Sequence, residues 1–204
     1  MRVDRLGHDC KQRLQQYLKL ASLLFVQVVV TYYGANFVTR NRSDVHDFYF
    51  DWERAIPLVP AAAWVYLSIF VLMSLPAFYL DINQMRQLAK QMALAMFLAG
   101  LVFLLFPCQT GYPPVADIPT GTQLIRNVEL PHTIFPSLHV ALCSIIMLHL
   151  YRQFGTRGRY FLGLWLAGLV ISVLFTHQHH TTDVLGGLVL AWLCHRLLTQ
   201  EKSR

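Results

Sequence analysis

The sequence predicts an all-α protein, a bundle of six transmembrane helices that forms a single integral-membrane domain over residues 1–204. Hydrophobic residues make up 55% of the chain and charged residues only 14%, whereas ordinary soluble domains carry about 25% charged residues. The apolar residues fall into blocks close to the roughly 20 residues that a helix needs to cross a bilayer. Within lipid, a single chain segment satisfies its own backbone polar groups only as a helix.

Six apolar blocks define the predicted spans. The first is expected to be a retained signal anchor, because no convincing cleavage site follows it. Pro76 is expected to kink the far end of the second span. The connection 107–134 contains five prolines, so we expect no regular helix there. The predicted spans are residues 17–38, 57–80, 86–106, 136–151, 160–177 and 181–198.

The distribution of basic residues predicts the orientation of the bundle. Of the 17 Lys and Arg residues, four (Arg40, Arg42, Arg54 and Arg126) lie in the loops 39–55, 107–134 and 177–181, and 13 lie in the rest of the chain. The positive-inside rule then places both termini in the cytoplasm and these loops on the outer face. A bacterial inner membrane, with the outer face towards the periplasm, is the expected location. Topology accounts for the net charge of +6, so no nucleic-acid partner is expected.

Histidines gather at the predicted outer end, where ionisable residues at membrane depth point to function. His179 and Asp183 are four residues apart, which would place them on one face of a helix. A carboxylate that accepts a hydrogen bond from one imidazole nitrogen fixes the tautomer and orients the other nitrogen. This is the arrangement of an activated nucleophile or base.

A second motif, Phe135-Pro-Ser-Leu-His139, directly precedes an apolar run. Pro136 is expected in the first turn of a helix, and Ser137 would then lie among free backbone amides. Such amides, together with the helix dipole, form an anion site to which a hydroxyl can add a hydrogen bond. His139 would lie slightly deeper, placed to give a proton to a leaving oxygen.

Together these motifs resemble the type-2 phosphatidic acid phosphatase superfamily, in its integral-membrane branch. The matching residues are Pro136-Ser-Leu-His139 and, about forty residues later, Ser172 with His179-x-x-x-Asp183. Residues 135–142 and 172–179, with 51–57 and 106–107, are most similar to a subgroup related to inositol phosphorylceramide synthases. The resemblance implies a six-helix fold with its site at the outer membrane face, and phosphoryl transfer without a metal or another cofactor.

The resemblance also implies roles for individual residues. His179 corresponds to the nucleophile, which becomes a phosphohistidine, and Asp183 to the carboxylate that orients it. His139 corresponds to the acid that protonates the leaving alcohol. Ser137 and the backbone at Leu138 correspond to the phosphate-binding position.

The chain departs from the family pattern at three cationic positions. The usual first motif contains a Lys and an Arg-Pro pair, and residues 106–114 contain neither cation. The usual third motif opens Ser-Arg, and here it is Ser172-Val173. A phosphoryl-transfer transition state needs its oxygens stabilised, and a charged His177 would favour activity at mildly acidic pH. The residues expected to replace the missing cations are Arg126 and His177, followed by His180 and His132.

The expected function is a phosphatase that acts on a phosphorylated membrane lipid at the outer face. The alternative is a lipid head-group phosphotransferase with the same nucleophile, since the acceptor can be water or an alcohol. Two further classes remain open. The outer histidines and Asp183 could hold zinc or copper, or the chain could bind lipid without chemistry, as the missing cations would allow.

Overall fold

The computed structural model describes residues 2–113, 120–126 and 130–200, and in this part of the chain the fold is helical and contains no strand. A π-helical turn, Val29–Tyr33, joins the first two α-helices, and a 3-10 helix covers Asp51–Ala55. The α-helices are α1 (Arg2–Val28), α2 (Gly34–Thr39), α3 (Ala62–Leu67), α4 (Ile69–Ser74), α5 (Pro76–Tyr79), α6 (Ile82–Leu105), α7 (Thr120–Arg126), α8 (Leu138–Tyr151), α9 (Thr156–Phe175) and α10 (Thr181–Gln200).

The prediction of an all-α membrane protein is confirmed, because the described residues include four helical stretches that are long and apolar enough to cross a bilayer. Each of the six predicted segments contains helix, but α8 has only 14 residues. It is therefore roughly 21 Å long, less than the roughly 30 Å of a hydrocarbon core. The count of six spans stays a prediction. The four membrane-length stretches are Lys11–Thr39, Ala62–Tyr79, Ile82–Leu105 and Thr156–Phe175.

Two sequence predictions concern prolines, one at Pro76 and one in the connection 107–134. The helix is interrupted at Leu75, so that α4 ends before it and Pro76 begins α5. The expectation that 107–134 contains no regular helix is wrong, because α7 covers Thr120–Arg126. All five prolines of that connection lie outside this stretch, so none of them removes a helical hydrogen bond there.

Helices α6, α8 and α10 form the centre of the bundle and share a buried polar link. The side-chain oxygen of Gln91 accepts hydrogen bonds from Nε2 of His149 at 2.9 Å and from Nδ1 of His195 at 3.3 Å. Polar side chains of this kind join helices within membranes. The largest apolar side chains that are fully buried in the core are Phe103, Leu72, Leu80, Met96, Ile145, Ile146 and Leu150.

Helices α8 and α10 are in close contact where both begin. The Ser137 amide donates to the carbonyl oxygen of Asp183 at 3.0 Å. One turn further along α10, a Cβ at Gly187 would lie only 2.5 Å from the carbonyl oxygen of Ser137. The absence of a side chain at Gly187 therefore lets the two helix starts meet, which positions the site described below.

We expect Gly187→Ala to lower the free energy of unfolding by about 1–3 kcal/mol, because the added methyl group overpacks the contact between the helices. The matched control is Gly163→Ala in α9, where a Cβ would meet no heavy atom within 4 Å. That variant should be neutral or more stable by up to about 1 kcal/mol. Thermal unfolding in detergent measures both, and equal Tm values would contradict the close approach.

Candidate active site

Three segments that are far apart in the sequence converge at the start of α10. The first two are joined by a parallel bridge, in which the His46 amide donates to the Pro107 carbonyl at 2.8 Å and the Gln109 amide donates to the His46 carbonyl at 3.1 Å. The first and third are joined by the Thr181 amide, which donates to Oε1 of Glu53 at 2.6 Å. Loops 46–53, 108–113 and 177–183 therefore form one structure.

The turn after α9 places the last of these loops. The amide of His177 donates to the Leu174 carbonyl at 3.1 Å, and the amide of Gln178 donates to the Val173 carbonyl at 3.0 Å. This pair of bonds is the Schellman motif that ends many helices, usually with glycine at the left-handed position. Here His177 occupies that position with φ of 59°, at a cost of roughly 1–2 kcal/mol. The turn directs the following histidines into the interior.

His179 is buried beside Asp183, although the two do not share a helical face. The predicted shared face is wrong, because α10 begins at Thr181 and His179 precedes it. Asp183, in the first turn of α10, folds back so that its Oδ2 accepts the His180 amide at 2.7 Å and lies 3.5 Å from Nδ1 of His179. The carboxylate of Asp183, which is in α10, thus lies beside the imidazole of His179, which precedes α10.

Neither ring nitrogen of His179 makes a hydrogen bond, although the residue is only 5% exposed. A buried polar group without a partner costs about 1–3 kcal/mol. Such groups are rare in folded proteins, and a catalytic role is one of the explanations for them. His179 is therefore the side chain of this site most clearly available to a substrate.

His139 lies near His179, at the start of α8. The two imidazole centres are 5.9 Å apart, and Nε2 of His139 shares a 2.8 Å hydrogen bond with the hydroxyl of Tyr66. The predicted place of Pro136 in the first turn is wrong, because α8 begins at Leu138 and Ser137 is its N-cap. The Ser137 hydroxyl accepts the Val140 amide at 3.3 Å.

The N-termini of α8 and α10 differ in charge. In α10, the amides of His180 and Thr181 donate to the carboxylates of Asp183 and Glu53. The first turn of α8 contains no acidic residue, and its cap, Ser137, is neutral. Because a helix N-terminus attracts anions, α8 is the helix start that remains open to one. The role of Ser137 and Leu138 in phosphate binding stays a prediction.

A second histidine–carboxylate pair, His180 and Glu53, lies beside the first. Oε2 of the fully buried Glu53 is 3.6 Å from Nδ1 of His180 and accepts the Phe50 amide at 2.7 Å. Nε2 of His180 accepts the Gly111 amide at 3.0 Å. The proton of the neutral ring is therefore on Nδ1, directed at Glu53.

Burial and hydrogen bonding set the charges of this second pair. Burial raises the pKa of Glu53, but the hydrogen bonds from Thr181 and Phe50 lower it by more, so that the pKa lies below its ordinary value. Burial lowers the pKa of His180, although the nearby carboxylates of Asp183 and Glu53 act in the opposite direction. At neutral pH, Glu53 is therefore ionised and His180 is neutral.

Tyr112 is stacked between two of the histidines. Its ring centre lies 4.0 Å from that of His177 and 4.3 Å from that of His180, and its hydroxyl donates to the His179 carbonyl at 3.2 Å. His177 in turn donates from Nε2 to the Ile56 carbonyl at 2.9 Å. Stacking and a backbone carbonyl hold His177, so its proposed role as a cation for phosphate stays a prediction.

The remaining candidates lie elsewhere or are only partly described. Arg126 is the last residue of α7, and its side chain lies outside the part of the chain that the structure describes. Nδ1 of His132 donates to the Thr39 carbonyl at 3.0 Å, at the end of α2. Among the described residues, no three His, Cys, Asp or Glu side chains are arranged to hold a metal ion. The zinc or copper alternative thus gains no support from geometry.

Sequence reasoning did not single out Glu53, Tyr66, Gly111 or Tyr112 as site residues. Glu53 is in the stretch 51–57, which was cited for its similarity to the subgroup and not for a role of Glu53. Its contact with Thr181 spans 128 positions. Position 111 requires glycine, because a Cβ at this position would overlap the ring of Tyr49. Patterns of neighbouring residues in the sequence do not predict contacts between residues so far apart.

The part of the chain that the structure describes contains four membrane-length helical stretches and a buried histidine–carboxylate site, which are the features of an integral membrane enzyme. Comparison with protein families matches residues 46–197 to the PAP2 superfamily. The match covers most of the chain, and the chain belongs to the PAP2 superfamily. Its members are phosphoric ester hydrolases or phosphotransferases, which supports an enzyme of that class. No curated protein and no solved structure matches the chain significantly, and the closer subgroup stays a prediction.

The turn at His177 can be tested by comparing His177→Gly with His177→Ala. Both variants lose the imidazole, so they differ only in the Cβ methyl group and in the backbone conformations that it allows. Because φ is 59°, we expect the glycine variant to be more stable by about 1 kcal/mol. Chemical unfolding in detergent measures the difference. A more stable alanine variant would show that residue 177 is not in the left-handed region.

We expect the protein to lose stability as the pH falls below about 6.5, in part through His180. Its folded pKa lies below the ordinary value of 6.5, so on acidification the unfolded chain takes up a proton before the folded chain does. His180→Asn should flatten this part of the dependence of Tm on pH. His46→Asn, a change at an exposed histidine, is the matched control. Identical profiles for wild type and His180→Asn would contradict the lowered pKa.

Proposed function

We propose that this protein is a phosphatase of a phosphorylated membrane lipid and acts through a phosphohistidine at His179. The observation that carries the proposal is the buried imidazole of His179, which has no hydrogen bond to either nitrogen and has the Asp183 carboxylate 3.5 Å from Nδ1. With a proton on Nδ1 directed at Asp183, Nε2 carries the lone pair. The proposed mechanism uses no metal ion and no cofactor.

The reaction has two steps. In the first, Nε2 of His179 attacks the phosphorus, the bond from phosphorus to the alcohol oxygen breaks, and His139 gives its proton to that oxygen. In the second, water attacks the phosphohistidine, the phosphorus–nitrogen bond breaks, and His139 takes a proton from the water. The two ring centres are 5.9 Å apart, so the proposed nucleophile and the proposed acid are neighbours in the site.

Phosphate oxygens require stabilisation, and the start of α8 is the best-placed source. Of its first-turn amides, that of Val140 is bound by the Ser137 hydroxyl, whereas those of Leu138 and His139 have no acceptor within the helix. No carboxylate occupies that turn. The Ser137 hydroxyl lies at the same end. Arg126 and His177 are the proposed additional cations. The orientation proposed from the basic residues places this site on the outer face, towards the periplasm of a bacterial inner membrane.

A second candidate function is phosphotransfer to the hydroxyl of a lipid or sugar. The burial of the site favours it, because His179 is 5% and Asp183 1% exposed, which restricts the access of bulk water. The first step is unchanged, and an alcohol replaces water in the second. The proposed subgroup resemblance to inositol phosphorylceramide synthases points in the same direction.

We expect His179→Ala to abolish turnover of labelled lipid phosphates in detergent, by on the order of 10³-fold or more, because no other group forms the covalent intermediate. Wild-type protein quenched during turnover should carry acid-labile phosphate, and His179→Ala should carry none. His46→Ala is the control for loss of a histidine near the site and should remain active. Full turnover by His179→Ala would end the proposal.

The same assay separates the competing functions. Added alcohol acceptors give a new phosphodiester or phosphomonoester if the enzyme is a transferase, and free phosphate alone if it is a phosphatase. Activity that disappears with a chelator and returns with zinc would favour the metal-binding alternative. Binding of lipid phosphate without release of phosphate at any pH would identify a non-catalytic lipid-binding protein.

A further inference from the structure

A large apolar cavity adjoins the site on the side of His139. Its volume is about 1060 Å³, and it lies between α1, the interrupted helix α3–α5, α6 and α8. One end is near Tyr17 and Met73, and the other is near Tyr33 and Ile125. His139 and Tyr66 form part of the wall, and Tyr66 packs in one cluster with Ile125 of this second end and is hydrogen-bonded to His139.

The cavity is long enough for a hydrocarbon chain. Its wall follows one face of the first helix from Tyr17 to Tyr33, which corresponds to roughly 24 Å of helix. That length is most of a hydrocarbon core of roughly 30 Å and exceeds the half of it that one leaflet fills. A chain from one leaflet would therefore fit along this face.

The wall is apolar except for its tyrosines and His139. The hydroxyl of Tyr17 donates to the Met73 carbonyl at 3.0 Å, and that of Tyr66 shares the hydrogen bond with His139. His179 and Asp183 are not part of the described wall. The cavity thus reaches the site from the side of the proposed acid rather than from that of the proposed nucleophile.

We infer that this cavity holds the hydrocarbon chain of the leaving alcohol, an inference that rests on the proposed function. In phosphoryl transfer the attacking atom and the leaving oxygen lie on opposite sides of phosphorus. His139 protonates the leaving oxygen, so the group attached to that oxygen lies on the His139 side, where the cavity opens. The substrate is therefore a long-chain lipid whose own oxygen leaves.

The geometry also assigns the bond that breaks in a diester. The phosphorus–oxygen bond on the lipid side breaks, His139 gives its proton to the lipid oxygen, and the head group stays on the phosphorus bound to His179. Water or another alcohol then displaces His179. The opposite course would keep the lipid on phosphorus and place its chain on the His179 side, which the cavity does not line.

Tryptophan substitutions on α1 test the inference. Val28 lines the cavity and is half-buried, whereas Val26, two residues earlier, is 60% exposed and does not line it. We expect Val28→Trp to raise KM for dioleoyl phosphatidic acid by about tenfold or more and to leave phenyl phosphate turnover unchanged. Val26→Trp should change neither. Equal effects of the two variants, or equal effects on the two substrates, would overturn the inference.

A second measurement does not depend on turnover. Full-length His179→Ala is photolysed with a phosphatidic acid that carries a diazirine in the middle of one chain, and the labelled residues are mapped. Labelling at Val28 and Met92 that excess phosphatidic acid displaces, and phosphatidylcholine does not, is the expected result. Labelling spread equally to Val26, or displaced equally by phosphatidylcholine, would show bulk membrane lipid in the cavity. Protection of Val28 only in a dimer would show a second copy there.

The two proposals fail in different ways. Absence of turnover with every lipid phosphate would remove the proposed function, and the photolabelling would still decide where the chain lies. Turnover that requires His179 but is insensitive to Val28→Trp would leave the proposed function standing and remove the chain site.

Discussion

Two buried carboxylates at the beginning of α10 hold the site together. Asp183 accepts the amide of His180, and Glu53 accepts the amide of Thr181. A buried charge without partners would cost several kcal/mol. Here the amide donors and the positive end of the helix dipole offset that cost. Because Glu53 comes from the first long loop, the same interaction that completes the helix also brings that loop to the site.

This arrangement decides how each helix start can be used. The positive end of α10 is occupied by the protein's own carboxylates, while the start of α8 has only the neutral cap Ser137. The Ser137 amide is itself bound to the Asp183 carbonyl, so the two helix starts are fixed relative to each other. An anion-attracting end and a histidine–carboxylate pair therefore lie side by side, and the proposed phosphoryl transfer to His179 depends on this placement.

The site also contains features that cost stability and that the rest of the bundle must offset. His177 adopts a left-handed backbone conformation, and His179 is buried with no hydrogen bond to its ring. Departures of this kind concentrate at functional sites, where surrounding structure holds them in place. Here Tyr112 does so, since it stacks on His177 and binds the His179 carbonyl. The large apolar cavity next to His139 is the basis of the inferred chain site.

The local sequence predicts the features of this protein that depend on neighbouring residues, but not those that depend on contacts between distant segments. Apolar block length predicts the helices, Pro76 predicts the break after α4, and the short spacing from His179 to Asp183 predicts their proximity. Those features depend on neighbours within a few residues. Two local predictions were nevertheless wrong in detail: His179 precedes α10 instead of lying in it, and Pro136 precedes α8 instead of lying in its first turn.

Other features of the site depend on contacts between distant parts of the chain. Glu53 binds Thr181 across 128 positions, and the ring of Tyr49 leaves no space for a side chain at Gly111. Contacts of that range arise only when the helices pack, so the tertiary structure alone decided that Glu53, Gly111 and Tyr112 belong to the site.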